Sequence, residues 1–259
     1  MGNKYLKIMT LIPLIVVSAI LMTSCSNRDD DKISLLDKIK REGRIFVATN
    51  AEFEPFEFVT NKGVEGIDVE ISRKVAEKLG VELHIVDGSF TSVMLEIKKK
   101  RCGFAAAALS YSEEKEEHVD FSDPYFTTKQ AIIVRIDSDI KCAKDLEGKK
   151  IGVQIGTTGD SFCTDHVNKC QVIRFSKPMN AIMGLKAGSL DAVVVDNFPA
   201  NKFVSANSNA LKKLEEPLTT ENYVMAIPKG EKEIKEVINL VIAELKMNGQ
   251  LKEIVSKFV

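Results

Sequence analysis

Two apolar runs in this 259-residue chain end in groups that can do chemistry. Phe104-Ala-Ala-Ala-Ala-Leu109 runs into Ser110 and Tyr111, and Ala192-Val-Val-Val195 runs into Asp196. A polar side chain at the end of a buried strand must find a hydrogen bond or an opposite charge, because leaving it unpaired away from water is costly. Two further stretches belong with these. Gly156-Thr-Thr-Gly159 opens a helix after the apolar strand 150–153, so Thr157, Thr158 and their free backbone N–H groups can receive an anion. Asn50 to Phe58 reads as an aromatic-rich loop emptying from the strand 44–49. These are the means of holding a small polar or zwitterionic molecule. Means of covalent catalysis are not apparent. There is no Gly-x-Ser-x-Gly nucleophile turn and no Gly-x-x-x-x-Gly-Lys-Ser/Thr phosphate loop, and His84, His118 and His166 are isolated. No Cys-x-x-Cys pair or other metal-ligand spacing occurs, so neither metal nor cofactor is expected.

The elements that must position these groups alternate. A short helix over Leu35, Leu36 and Ile39 ends at Gly43, and strand 44–49 follows. Ile67, Val69, Ile71, Val75 and Leu79 recur at helical spacing up to Gly80. Strand 81–86, a helix from Ser92 to Lys100 and the apolar strand 104–109 complete a βαβ pattern, which argues a parallel sheet. A short acidic helix follows Ser110, and the chain turns at Asp123-Pro124. The pattern then repeats: strands at 131–134, 150–153, 172–175 and 192–195 alternate with helices at 160–168 and 179–187. A strand at 223–227 returns to the first half, and a final helix carries Ile234, Ile238, Val241 and Leu245, then Leu251 and Ile254. Two α/β lobes with two crossings between them, near 125–129 and 221–223, favour hinge bending around a cleft that holds the ligand.

Composition agrees. With 44% hydrophobic residues the chain can bury two cores, and a net charge of −1 with both signs interspersed shows no basic face for nucleic acid. At the N-terminus, Lys4 and Lys7 precede an apolar run from Ile8 to Met22 that ends at Thr23-Ser24-Cys25. The run falls short of the ~20 residues of a membrane span and contains Thr10, Pro13 and Ser18, so residues 1–24 read as a secretory signal peptide. The pattern resembles a lipobox with Met22 where Leu is usual; Cys25 is then the lipidated N-terminus, and Ser26 to Lys32 a tether. Loss of Lys4 and Lys7 on cleavage would take the charge from −1 to −3. Of the other cysteines, Cys163 and Cys170 are close enough to close a small loop without the sequence showing that they do, while Cys102 and Cys142 read as small buried hydrophobes.

From Leu35 to Val259 the chain resembles family 3 of the bacterial extracellular solute-binding proteins, the polar amino-acid binders of ABC importers. The resemblance is carried by Phe53-Glu-Pro-Phe-Glu-Phe58, Gly66-Ile-Asp-Val-Glu70, Asp120-Phe-Ser-Asp-Pro-Tyr125, Asp145-Leu-Glu-Gly-Lys149 with Gly152-Val153, Gly156-Thr-Thr158 and Asp191-Ala-Val-Val-Val-Asp196, in that order. It implies a two-lobed, periplasmic-binding-protein-like α/β fold of type II, with residues 33–128 and 222–259 in lobe 1 and 129–221 in lobe 2.

It also implies roles. Phe53 and Phe90 would cover the ligand side chain, Ser110 would grip the α-carboxylate, Gln154 would touch the side chain, and Asp196 would pair the α-ammonium. Lys115 stands where the family usually has an arginine, offering a point charge in place of a bidentate fork. Ala108 stands where glycine is common. Each has a plainer alternative: a core ring for Phe53 or Phe90, a helix cap for Ser110, Thr157 or Asp196, a solvated helix charge for Lys115. The implied partners are a free amino acid, an ABC permease and, through lipid on Cys25, a membrane. The protein would be a monomer outside the cytoplasm that captures ligand without turning it over. A dehydratase-like enzyme and a ligand-sensing receptor domain are the competing classes.

Overall fold

A computed structural model describes residues 33–259. The signal peptide, Cys25 and the tether expected over 1–32 lie outside the described residues. Ser34 caps helix α1 (Leu35–Glu42) by accepting from Asp37 N, and Gly43 ends it in a left-handed conformation. Strand β1 (Arg44–Thr49) enters the core at once. The expected loop at 50–58 is instead a small antiparallel sheet of β2 (Glu52–Phe53), β3 (Glu57–Thr60) and β4 (Gly63–Glu65), because the turn at Lys62-Gly63 folds β4 back on β3. Gly66 then starts α2 (Ile67–Leu79); a Cβ there would lie 2.1 Å from the Phe56 carbonyl oxygen at φ +135, a place for glycine only. Strand β5 (Glu82–Asp87), α3 (Phe90–Lys98), β6 (Phe104–Ala105), the single-turn α4 (Glu113–Glu116) and β7 (Val119–Phe121) follow.

Strand β8 (Phe126–Arg135) begins the second sheet, joined by β9 (Lys150–Gln154), α5 (Thr158–His166), β10 (Gln171–Phe175), α6 (Pro178–Lys186), β11 (Ala192–Asp196), α7 (Asn197–Ser205), β12 (Leu211–Lys213) and β13 (Thr219–Tyr223). The chain closes with β14 (Ala226–Pro228), α8 (Lys232–Met247) and α9 (Gln250–Ser256). The first sheet has the order β5-β1-β6-β14-β7, parallel from β5 to β6, with β14 antiparallel to both its neighbours. The second runs β10-β9-β11-β8-β12, with β13 also paired to β8. Helices flank both, and Ser34–Val259 form one compact unit.

Three further elements differ from the sequence reading. The strand expected at 104–109 pairs over two residues only, because Ala108 turns left-handed (φ 44) and gives its N–H to Asp68 Oδ2 at 2.8 Å. The strand expected at 223–227 is two, β13 in the second sheet and β14 in the first. The final helix breaks at Gly249. The chain thus crosses between sheets at 121–126 and again at 223–226, and the crossings are hydrogen-bonded to each other: β13 pairs β8 antiparallel with Tyr223 opposite Phe126, and Tyr125 N donates to the Tyr223 carbonyl at 3.0 Å. Beneath them Phe56, Phe126, Phe198 and Tyr223 pack together, with Phe56 edge-on at 4.9 Å from Tyr223 and 5.0 Å from Phe126, so one apolar cluster underlies both sheets.

Among the described residues the cysteines carry no disulfide: Cys102, Cys142, Cys163 and Cys170 are free thiols. Cys102 and Cys163 are buried and burial pushes both thiols up, to about 11 and about 12. Cys170 Sγ donates to the Cys163 carbonyl oxygen at 3.3 Å. Cys142 is not a buried hydrophobe but the half-buried residue that precedes a 3₁₀ turn, its backbone N–H held by Asp145.

Candidate functional site

Strands β1, β6, β9 and β11 all end at one crevice between the two sheets, the edge at which open α/β sheets bind ligands. The cavity there is lined by Asn50, Phe53, Glu57, Phe90, Ala107, Ala108, Ser110, Lys115, Gln154, Thr157, Thr158 and Asp196. All eight residues expected from the sequence are therefore brought together: Phe53, Phe90, Ser110 and Lys115 on one side of the crevice, Gln154, Thr157, Thr158 and Asp196 on the other. None is stranded elsewhere.

Each wall has a local cause. Phe53 at the end of β2 is buried, and Phe90 opens α3 behind Ser89, whose hydroxyl accepts from Ser92 N. Lys115 lies over the Phe90 ring, its ammonium 5.9 Å from the centroid. Burial pushes that ammonium below its ordinary value against the opposing pull of Glu114, Glu221, Asp196 and Asp160. Its side chain is half-buried rather than fully solvated. Ser110 is buried in a β-bridge with Tyr223, and Ser112, not Ser110, precedes α4. On the opposite wall, Gln154 Nε2 donates to Asn50 Oδ1 at 3.1 Å, a buried hydrogen bond between the two sheets.

Thr157 does cap α5: its hydroxyl accepts from Asp160 N and donates to the Gln154 carbonyl. The Thr158 hydroxyl donates to Glu221 Oε2 at 2.6 Å. What this corner can offer a ligand is therefore its backbone. Asp196 precedes α7 without capping it. It is 6% exposed, and Tyr223 Oη donates to its Oδ1 at 2.6 Å. Burial raises its carboxyl from 3.8 to about 7, opposed by the hydrogen bonds from Tyr223 and Gln130 and reinforced by Glu221.

Two buried acids to which the sequence reading assigned no role support the site: Glu57 lines the cavity, and Asp68 holds its lining residue Ala108. Asp68, fully buried in the first turn of α2, accepts from Ala108 N and, at 2.7 Å, from Tyr125 Oη, and burial raises it to about 6. Glu57 is 1% exposed and pushed well above its ordinary value, first by burial and then by Asp68, to which its carboxyl is hydrogen-bonded; its Oε2 has no partner and it lines the cavity. Asp68 was legible in principle: it sits three, four and seven positions before Ile71, Ser72 and Val75, on the buried stripe of α2. Glu57 gave no such sign, being one acid of three in Glu52 to Glu57.

The model of the bacterial extracellular solute-binding proteins, family 3, matches residues 45–259. The chain belongs to that family. A search of solved structures places it on the arginine-bound ArgBP of T. maritima with a TM-score of 0.76 at 40% identity, covering 81% of this chain and 99% of that one. An amino acid ABC transporter substrate-binding protein from Streptococcus pneumoniae, bound to L-arginine, superposes with a TM-score of 0.79 at 30% identity over 85% and 96% of the two chains. The L-cystine-binding protein of Escherichia coli is 26% identical over 94% of this chain and 92% of its own length. The fold is therefore the two-lobed α/β architecture of these amino-acid-binding proteins, with two sheets flanked by helices and joined by two crossings.

Proposed function

We propose that the protein captures a free amino acid with a cationic side chain, arginine being the best fit, between lobe 1 (residues 33–128 and 222–259) and lobe 2 (129–221), and delivers it to an ABC-type permease. The observation that carries the side-chain assignment is Glu57, a buried carboxyl that lines the cavity together with the Phe53 and Phe90 rings and whose Oε2 has no partner. A buried carboxyl oxygen without a partner is costly, and a guanidinium between two aromatic faces supplies both the hydrogen-bond donors and the charge that return Glu57 toward its ionised form. The backbone groups of the ligand go to the opposite end. Its α-carboxylate meets Lys115, Ser110 and the α5 N-terminus at Thr157 and Thr158; its α-ammonium meets Asp196; Gln154 closes over it. The arginine-bound relatives support the same choice.

Closure is driven by contacts that only the liganded form completes. Direct contacts between the lobes assist it: Lys202 pairs with Glu54 at 2.9 Å and Lys177 with Glu52, on either side of Phe53. Lipid on Cys25 would hold the protein at the outer face of a membrane, beside the permease. The relatives named for a function are binding proteins, and capture without turnover is the role proposed here. A thermal-shift panel of the twenty amino acids tests the reading, since a ligand that binds only the folded state raises apparent stability by RT ln(1 + [L]/Kd). L-Arginine is expected to give the largest shift. A larger shift from an acidic or apolar amino acid would overturn the assignment.

A further inference from the structure

Each crossing between the sheets carries a buried tyrosine whose phenol reaches a buried acid, and one of those acids, Asp196, lines the cavity. Tyr125 Oη donates to Asp68, and Tyr223 Oη donates to Asp196 Oδ1 at 2.6 Å. Tyr223 is the more constrained. It is fully buried, its ring packs edge-on against Phe56 at 4.9 Å, its backbone bridges Ser110, and its carbonyl oxygen accepts from Tyr125 N. A phenol held at so many points cannot turn away from Asp196 while the crossing keeps its form.

We infer that Tyr223 is a positioning residue of the binding site, whose hydroxyl holds the Asp196 carboxylate in its ionised form so that it can pair the ligand's ammonium group. The inference rests on the role proposed for Asp196 above. A carboxylate buried at a strand end favours the neutral acid, and a neutral acid offers an ammonium no counter-charge; a short hydrogen bond from a fixed donor works against that tendency. The Tyr223 and Gln130 hydrogen bonds both hold the carboxyl below where burial alone would put it, so the loss of either raises it further. The charged groups around it do not replace the phenol. Glu221 on β13 pushes the carboxyl further up. Its own Oε2 is taken by the Thr158 hydroxyl and Gln130. Glu57 on β3 feels Asp196 as a like charge. Lys115 on α4 attracts Asp196, but it is the cation assigned to the ligand carboxylate.

The test is Tyr223→Phe, which keeps the ring and removes the donor. Carboxyl-carbon NMR titration of Asp196 in the empty protein, with Asp196→Asn to assign the signal, needs no ligand. The expected result is an upward move of the midpoint by about one pH unit. L-Arginine affinity, measured by calorimetry from pH 6 to 8.5, should then fall roughly tenfold at pH 6 and stay within about twofold at pH 8.5, where both forms of the site are ionised. Wild-type protein grown with 3-fluorotyrosine, whose phenols are stronger donors, should move the midpoint down without any change of sequence, which covers the case of a variant that fails to fold. An unchanged Asp196 midpoint in the variant and the fluorinated protein, or a loss of affinity equal at every pH, would overturn the inference. A midpoint that moves while the affinity profile stays still would overturn instead the pairing of Asp196 with the ammonium, and with it any part for Tyr223 in binding.

Discussion

Replacing Asp196 by Asn should weaken binding and strengthen the fold, two effects that a merely structural aspartate cannot give together. In a site that pairs the carboxylate with the ligand's ammonium, removing one member of a buried charge pair costs on the order of 2–5 kcal/mol, or roughly 30- to several-thousandfold in affinity. In the structure the carboxyl is 6% exposed and raised from 3.8 to about 7. The folded state therefore holds the proton more tightly than the unfolded one. This contribution to stability is full below about pH 4 and is lost as pH rises toward 7, so the ionised carboxylate is a net cost at pH 8. The rise from 3.8 to about 7 sets a ceiling of about 4 kcal/mol on that cost. An asparagine must still be desolvated beside the Tyr223 hydroxyl, so we expect about half, a rise of roughly 4–8 °C in the melting temperature of the empty protein at pH 8 and none near pH 4. Calorimetric titration with L-arginine and scanning calorimetry of the empty variant at both pH values are the assays. An Asp196→Asn protein that melts lower at both and binds normally would refute the reasoning and leave lobe 2's contribution resting on Thr157 and Thr158.

Three further outcomes follow from the same geometry. With Lys115 and Asp196 holding opposite ends of the ligand backbone, N-acetyl-arginine and arginine amide should each bind at least about 30-fold more weakly than arginine by calorimetry; undiminished affinity for either would remove the matching residue from the site. Reversing both bridging cations, Lys177→Glu with Lys202→Glu, should weaken arginine binding a few-fold in dilute buffer and leave it about equal to wild type at 1 M salt, because exposed pairs are screened. Cys25→Ser should release the protein from washed membrane fractions; a variant that stays bound would contradict lipid anchoring.

What the sequence showed and what it hid divide along physical lines. Apolar runs stopped by glycine are local, and Gly43 and Gly80 end α1 and α2 where expected. The break between β13 and β14 is not local. Tyr223 to Ile227 is apolar throughout, and only its partners, β8 in one sheet and β6 and β7 in the other, divide it. The shortness of β6 has the same origin, since Ala108 is turned aside by an aspartate 40 residues earlier in the chain. The site residues at strand ends were readable because a polar group closing an apolar run is itself a signal. Glu57 and the two tyrosines were not, because their meaning lies in partners that only folding brings within reach.

The claim most exposed to test is that Glu57 makes the cavity select a positive side chain. L-Citrulline has the length and shape of L-arginine without the charge. Calorimetry of both at pH 7.5, with wild type and with Glu57→Gln, should show arginine bound at least about 30-fold more tightly than citrulline by the wild type and most of that preference gone in the variant. Equal binding of the two by the wild type, or an arginine preference that survives Glu57→Gln intact, would contradict it.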